Sequence, residues 1–136
     1  MIREIVHDPL LLAIRSETAT EMDKPVITDL LDTLRANLDR CVGMAANMIG
    51  VRKRIIVFCR GPMQMVMVNP QIIARSDEYE TEEGCLSLIG VRRTKRYQKI
   101  TVKYQDQAFR QQTGTFEGFT AQIIQHETDH CNGILI

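Results

Sequence analysis

Over residues 25–39 the apolar side chains Ile27, Leu30, Leu31, Leu34 and Leu38 recur every three or four positions. That spacing puts one stripe of a helix against a core. Pro25 suits the first turn, where its missing N–H is one of the unpaired donors anyway. Further on the period shortens. Residues 54–58 and 65–68 are apolar runs of strand length, with Gly61-Pro62 as the turn between them and Asn69-Pro70 as the stop of the second. Residues 99–104 alternate Ile100, Val102 and Tyr104 with polar neighbours, which predicts a half-buried strand, and residues 108–116 are its expected hairpin partner across Asp106-Gln107. A helical period returns over residues 118–131 through Phe119, Ile123, Ile124 and Glu127, and Asn132-Gly133 is its stop. Strands first and a long helix last, without regular alternation, predict an α+β fold in which antiparallel strands pack around the C-terminal helix, with an N-terminal helix beside them.

Composition narrows the function classes. At 136 residues with 44% hydrophobic and 25% charged side chains, the chain is of single-domain size and its composition is that of a soluble globular protein, so residues 1–136 are expected to form one domain. The 17 basic and 17 acidic residues cancel, which removes any global field for DNA or an acidic membrane surface. No run approaches the roughly 20 apolar residues of a membrane helix. The opening Met1-Ile-Arg-Glu carries no secretory pattern, and the cysteines at 41, 59, 85 and 131 form neither CxxC pairs nor a dense scaffold. Free thiols in a reducing cytoplasm are therefore expected.

The chemistry is concentrated in His126-Glu127-Thr128-Asp129-His130, a His-Glu-x-x-His signature on the predicted last helix. Positions i and i+4 share one face, so both imidazoles can point at a single metal ion while Glu127 falls beside it, free to take a proton from an activated water. With three His among 136 residues, chance supplies roughly 0.003 such matches, which favours a metal site over two histidines paired with carboxylates. A third ligand decides between these. Cys85, in Glu83-Gly84-Cys85-Leu86-Ser87, completes a Cys-His-His set, and a tetrahedral ion then keeps one position open, as catalytic sites do. The competing reading is a small buried cysteine in a turn.

Together these segments resemble the peptide deformylases, whose motifs run GxGxAAxQxG, EGCLS and HExxH in that order. The chain has Cys41-Val42-Gly43-Met44-Ala45-Ala46-Asn47-Met48-Ile49-Gly50, then residues 83–87, then residues 126–130. Lys95-Arg96-Tyr97 and the strand at 99–104 are also similar to the family's sequence. The resemblance implies a hydrolase that removes the N-formyl group from N-terminal formylmethionine of nascent polypeptides. It further implies one divalent ion, Fe²⁺ in the cell with Zn²⁺, Ni²⁺ or Co²⁺ as substitutes, bound by Cys85, His126 and His130. Glu127 becomes general base and then acid, and the Leu86 N–H meets the oxyanion. Val42, Gly43, Glu83 and Ile123 take substrate-binding positions, and Arg96 pairs with Glu83. The implied partners are N-formylmethionyl peptides and the ribosome near emerging chains.

The first motif departs from this pattern twice. Cys41 stands for the opening glycine and Met48 for the glutamine, which in the family donates a hydrogen bond near the metal. A thioether cannot donate. Met48 is then either inert packing or a lost catalytic donor, and Asn47 beside it is an alternative amide. Cys41 is either a buried replacement for glycine or a second soft ligand. These departures keep two other functions open: a deformylase-like metallo-amidase with a changed substrate, and a non-catalytic metal-binding homologue. Intact Glu127 argues against the last. Elsewhere, residues 92–96 (Arg-Arg-Thr-Lys-Arg) are expected to be a solvated basic loop rather than an RNA patch, and the acidic run 77–82 an exposed strand edge. The alternating Met63, Met65 and Met67 are expected on a strand's buried face, with Cys59 and Cys131 as core residues.

Overall fold

The computed structural model describes residues 1–136. Three helices, α1 (Pro9–Leu12), α2 (Lys24–Ala36) and α3 (Gly118–Cys131), accompany five strands, β1 (Gly43–Ala45), β2 (Ile55–Arg60), β3 (Met63–Cys85), β4 (Leu88–Gln105) and β5 (Gln111–Glu117). The strands form one antiparallel sheet in chain order, β1-β2-β3-β4-β5. No helix is long and apolar enough to cross a membrane.

Strand β2 divides the core. Its successive side chains point to opposite faces, so Ile55 and Val57 pack with Ile27, Leu30 and Leu34 of α2, while Ile56 and Phe58 pack with Ala121, Ile124 and Cys131 of α3. All four of these β2 side chains are fully buried, each worth about 1.5–3 kcal/mol relative to exposure. The sheet's middle is thus clamped by α2 on one face and α3 on the other.

Several boundaries differ from the sequence expectation, for identifiable reasons. Helix α2 stops at Ala36 rather than 39 because the Asn37 side chain donates to the Thr33 carbonyl at 2.7 Å and its N–H turns in to Leu34 O. Leu38, counted in the apolar stripe, is 44% exposed. Asn69-Pro70 does not end a strand. Asn69 adopts φ 51° in a bulge between Val68 and Gln71, and its side chain binds both Ala19 N–H and Ala19 O, so β3 continues. Strand β2 runs to Arg60, and β5 starts at Gln111 rather than 108.

The larger correction is a long β3–β4 ribbon. The acidic run 77–82 is no free edge, and residues 92–96 are no loop: Glu78 faces Tyr97, Glu80 faces Lys95, and Glu82 faces Arg93 across the two strands. Ion pairs Arg93–Glu80 (2.9 Å) and Lys95–Glu78 (3.4 Å) join them. Both faces of this stretch are largely wet, so it shows no apolar alternation for a sequence reading to detect. Of the three alternating methionines, Met67 is buried, Met65 is half-buried at the core's rim and Met63 is exposed. Cys131 is buried and Cys59 lies partly buried against the core. All four thiols are free.

Candidate active site

The ribbon ends at Cys85, and its turn reaches α3. There the Cys85 Sγ lies 3.3 Å from His130 Nε2, which is 3.1 Å from His126 Nε2, and the three ligand atoms all lie within 4.8 Å of one another. An ion with bonds of about 2.0 Å to nitrogen and 2.3 Å to sulfur holds tetrahedral ligand atoms roughly 3.3–3.6 Å apart, close to the two spacings that His130 makes with Cys85 and His126. The Ser87 N–H donates to the Cys85 sulfur at 3.4 Å and fixes its direction. The donor set, one sulfur and two imidazoles on converging atoms, fits a borderline divalent cation.

The first histidine is held from behind. Its Nδ1 meets Glu83 Oε1 at 2.8 Å, so that nitrogen carries a proton toward the carboxylate and Nε2 is the atom turned to the ligand cluster. Arg96 grips the same carboxylate through Nη2 (2.7 Å) and Nε (2.9 Å), Gln122 Nε2 adds a contact at 2.9 Å, and Arg96 Nη1 reaches Asp129 at 2.7 Å. Burial penalises the Glu83 carboxylate, but the hydrogen bonds from His126, Arg96 and Gln122 outweigh it and hold its pKa down to about 2. Burial likewise opposes the His126 imidazolium, and its contacts with Cys85 and Glu83 prevail, raising it to about 10. For His130, burial and then the charge of His126 act together and lower it to about 3, leaving a neutral ring whose Nδ1 has no partner.

Glu127 is the odd carboxylate. It is 5% exposed, Oε1 has no hydrogen-bond partner, and burial pushes its pKa up to about 7. Gly43 lets it sit there: a Cβ on residue 43 would stand 2.9 Å from Glu127 Oε2 and 2.7 Å from Ile123 Cγ2. A buried, unpaired carboxylate beside three metal-type donors, titrating near neutrality, is equipped to accept a proton and return it.

A cleft of about 640 Å³ opens in front of this group, lined among others by Val42, Gly43, Leu86, Ile123 and Glu127. No protein acceptor engages the Leu86 N–H. Glu83 lies at the cleft wall, but its two oxygens are already taken by Arg96, His126 and Gln122, so it orients His126 rather than presenting a free acceptor. Met48 stands apart from the cleft. It is 1% exposed in the core cluster with α2, and its sulfur accepts the Ala45 N–H at 3.5 Å. The Asn47 amide is also committed, donating to His130 O at 3.0 Å, so it steadies the end of α3. Cys41 lines the cleft but gives its thiol proton to Gly43 O at 3.1 Å, and burial raises its pKa to about 12. It is not part of the three-ligand cluster. Sequence reasoning missed Gln122 and Asp129, whose roles rest on contacts spanning 39 and 33 residues that no local pattern reports.

Known proteins match this arrangement over its length. The family model described as polypeptide deformylase matches residues 2–136. A peptide deformylase from Clostridium beijerinckii is 59% identical over 136 residues, covering all of both chains. The crystal structure of a peptide deformylase from Legionella pneumophila superposes with a TM-score of 0.88 at 37% identity, covering 99% of this chain and 83% of that one. A Met-Ala-Ser-bound class I type b peptide deformylase from Acinetobacter baumannii does so with a TM-score of 0.86 at 31% identity, covering 99% and 97%. Motifs, fold and relatives therefore agree: the chain belongs to the peptide deformylase family and is a metal-dependent hydrolase that removes the N-formyl group from the N-terminal formylmethionine of nascent polypeptides.

Proposed function

We propose that deformylation here runs on one divalent ion held by Cys85, His126 and His130, with Glu127 moving the protons. The convergence of those three ligand atoms beside the unpaired Glu127 carboxylate carries this reading. Such an ion, Fe²⁺ in the cell with Zn²⁺, Ni²⁺ or Co²⁺ able to replace it, supplies Lewis acidity that lowers the pKa of a water and polarises the formyl carbonyl. Glu127 takes the water's proton as the new C–O bond forms, then delivers it to the amine as the C–N bond breaks, releasing formate. The free Leu86 N–H donates to the oxygen on which charge develops. Val42, Gly43 and Ile123 form the wall against which the methionine end of the peptide lies, where a Met-Ala-Ser peptide fits the chemistry expected of the product.

Met48, packed in the core, has no part in this scheme, and the Leu86 N–H is the donor that remains. The enzyme works in the cytoplasm beside the ribosome, where formylated chains emerge. The test is turnover of a formyl-Met tripeptide by anaerobically Fe²⁺-loaded protein. Wild type turns over and Glu127→Ala, with its ion retained, does not. Equal rates in the two would remove Glu127 from the chemistry.

A further inference from the structure

Helix α3 has a second working side. The cleft takes Phe119, Gln122, Ile123, His126 and Glu127 from it, while Gln125, Thr128, Asp129 and Asn132 face another groove. At 3.6 residues per turn the two sets are centred roughly 140° apart around the helix. This rear groove, about 780 Å³, is lined by five cations, Arg15, Arg54, Arg75, Lys95 and Arg96, against one carboxylate, Asp129. The front cleft has the opposite balance, with Glu82, Glu83 and Glu127 against Arg40. A chain of zero net charge thus carries segregated charge across one helix.

The basic run that stands out in the sequence is not the source. Arg93 and Lys95 are neutralised by Glu80 and Glu78 across the ribbon, and Arg96 is bound to Glu83 and Asp129. Three other guanidiniums, far apart in sequence, have no carboxylate within ion-pair distance: Arg15, Arg54 and Arg75. Two of them are pre-set. Arg54 is fixed by Cys131 O (3.0 Å) and Asn132 Oδ1 (2.9 Å), and Arg75 lies 5.4 Å over the Tyr97 ring. Tyr97 is itself pinned to α3, its N–H and C=O both held by the Gln125 amide at 2.9 and 2.8 Å. The floor is therefore tied to α3, and its three guanidiniums have no carboxylate to neutralise them.

We propose that this rear groove binds the phosphodiester backbone of single-stranded RNA through Arg15, Arg54 and Arg75. A groove of about 780 Å³ lined by three unneutralised guanidiniums from different parts of the chain suits a ligand with several phosphates better than a single anion. The Arg75–Tyr97 stack adds a planar surface against which a base can lie. Docked this way, the front cleft faces away from the RNA and stays open to peptide. The proposal does not depend on the metal chemistry, and the two are read by separate assays.

Fluorescence anisotropy with a labelled 12-nucleotide oligouridine, on the full chain, provides the test. Three phosphate contacts predict a log–log salt dependence with slope of about −2. Arg15→Ala and Arg75→Ala each reduce that slope by about 0.7, and the double variant binds at least about tenfold more weakly at low salt. Arg93→Ala, in the neutralised run, binds as wild type does, and all variants keep the wild-type rate on formyl-Met peptide. Absence of binding at low salt overturns the proposal, as does equal loss in Arg93→Ala. Capture by anionic phospholipid vesicles with none by RNA overturns it in favour of a membrane surface.

Discussion

Two segments flank the same cleft and are built in opposite ways. On one side, the ribbon turn and α3 hold most of their polar atoms in a mutual network: Glu83 accepts from four N–H groups of three residues, Arg96 binds two carboxylates, and His126 Nδ1 is held by Glu83. On the other side, residues 41–50 contribute mainly shape. Met48 is core, Asn47 steadies a helix end, Cys41 spends its proton on its own loop, and Gly43 offers only the absence of a side chain. The difference teaches where substitution is tolerated. The chain's two departures from the family pattern, Cys41 and Met48, both fall in the segment that works by packing, and none falls in the network behind the metal ligands.

Removing the base should break the committed side most severely. Glu127→Gln keeps the shape and loses the proton carrier, so kcat falls about 10²- to 10⁴-fold while metal content by elemental analysis stays at that of wild type. Next comes the support behind His126. Glu83→Gln releases the His126 ring and leaves Arg96 with Asp129 alone, which lowers metal affinity about 10- to 100-fold in a chelator competition. The same variant changes acid stability. The folded Glu83 pKa of about 2 lies below the ordinary 4.5, so its stabilisation is complete above 4.5 and is lost as pH falls through about 2. Urea melts between those limits should show a flatter pH dependence for Glu83→Gln than for wild type. An identical slope would detach Glu83 from the network.

The packing side should respond less. Gly43→Ala places a methyl 2.7 Å from Ile123 and 2.9 Å from Glu127, so one of them moves, costing about 1–3 kcal/mol in denaturant melts. It should also cost about tenfold in kcat, since displaced catalytic groups lose rate steeply. Cys41→Ala and Met48→Leu should be milder still, each below about 1.5 kcal/mol and within a few-fold of wild-type turnover. A 10²-fold gain in Met48→Gln would contradict the account, because it would mean that residue 48 reaches the reacting atoms after all.

The same contrast explains what the sequence made legible. Helix α3 was foreseen over 118–131 because its period and its Asn132-Gly133 stop are local signals, and its motif names its own ligands. Cys85 followed from motif chemistry. The ribbon carrying it is legible only as an acidic strand edge, its basic partner strand reading as a loop because both faces are wet, and β1 is hidden because three residues are too few for a period. Asn69-Pro70 was misread as a stop since nothing local announces that Ala19 will receive the Asn69 amide. Gln122, Asp129 and the rear guanidiniums share one reason: their partners or neighbours are set by tertiary approach, which single-chain patterning does not encode.

The central claim is that the committed side alone supplies the ligands. X-ray absorption at the metal edge of the Fe²⁺-loaded protein tests it most directly. One sulfur, from Cys85, and two imidazole nitrogens are expected. Two sulfurs would bring Cys41 into the coordination sphere, and none would release Cys85 from it; either result contradicts the account.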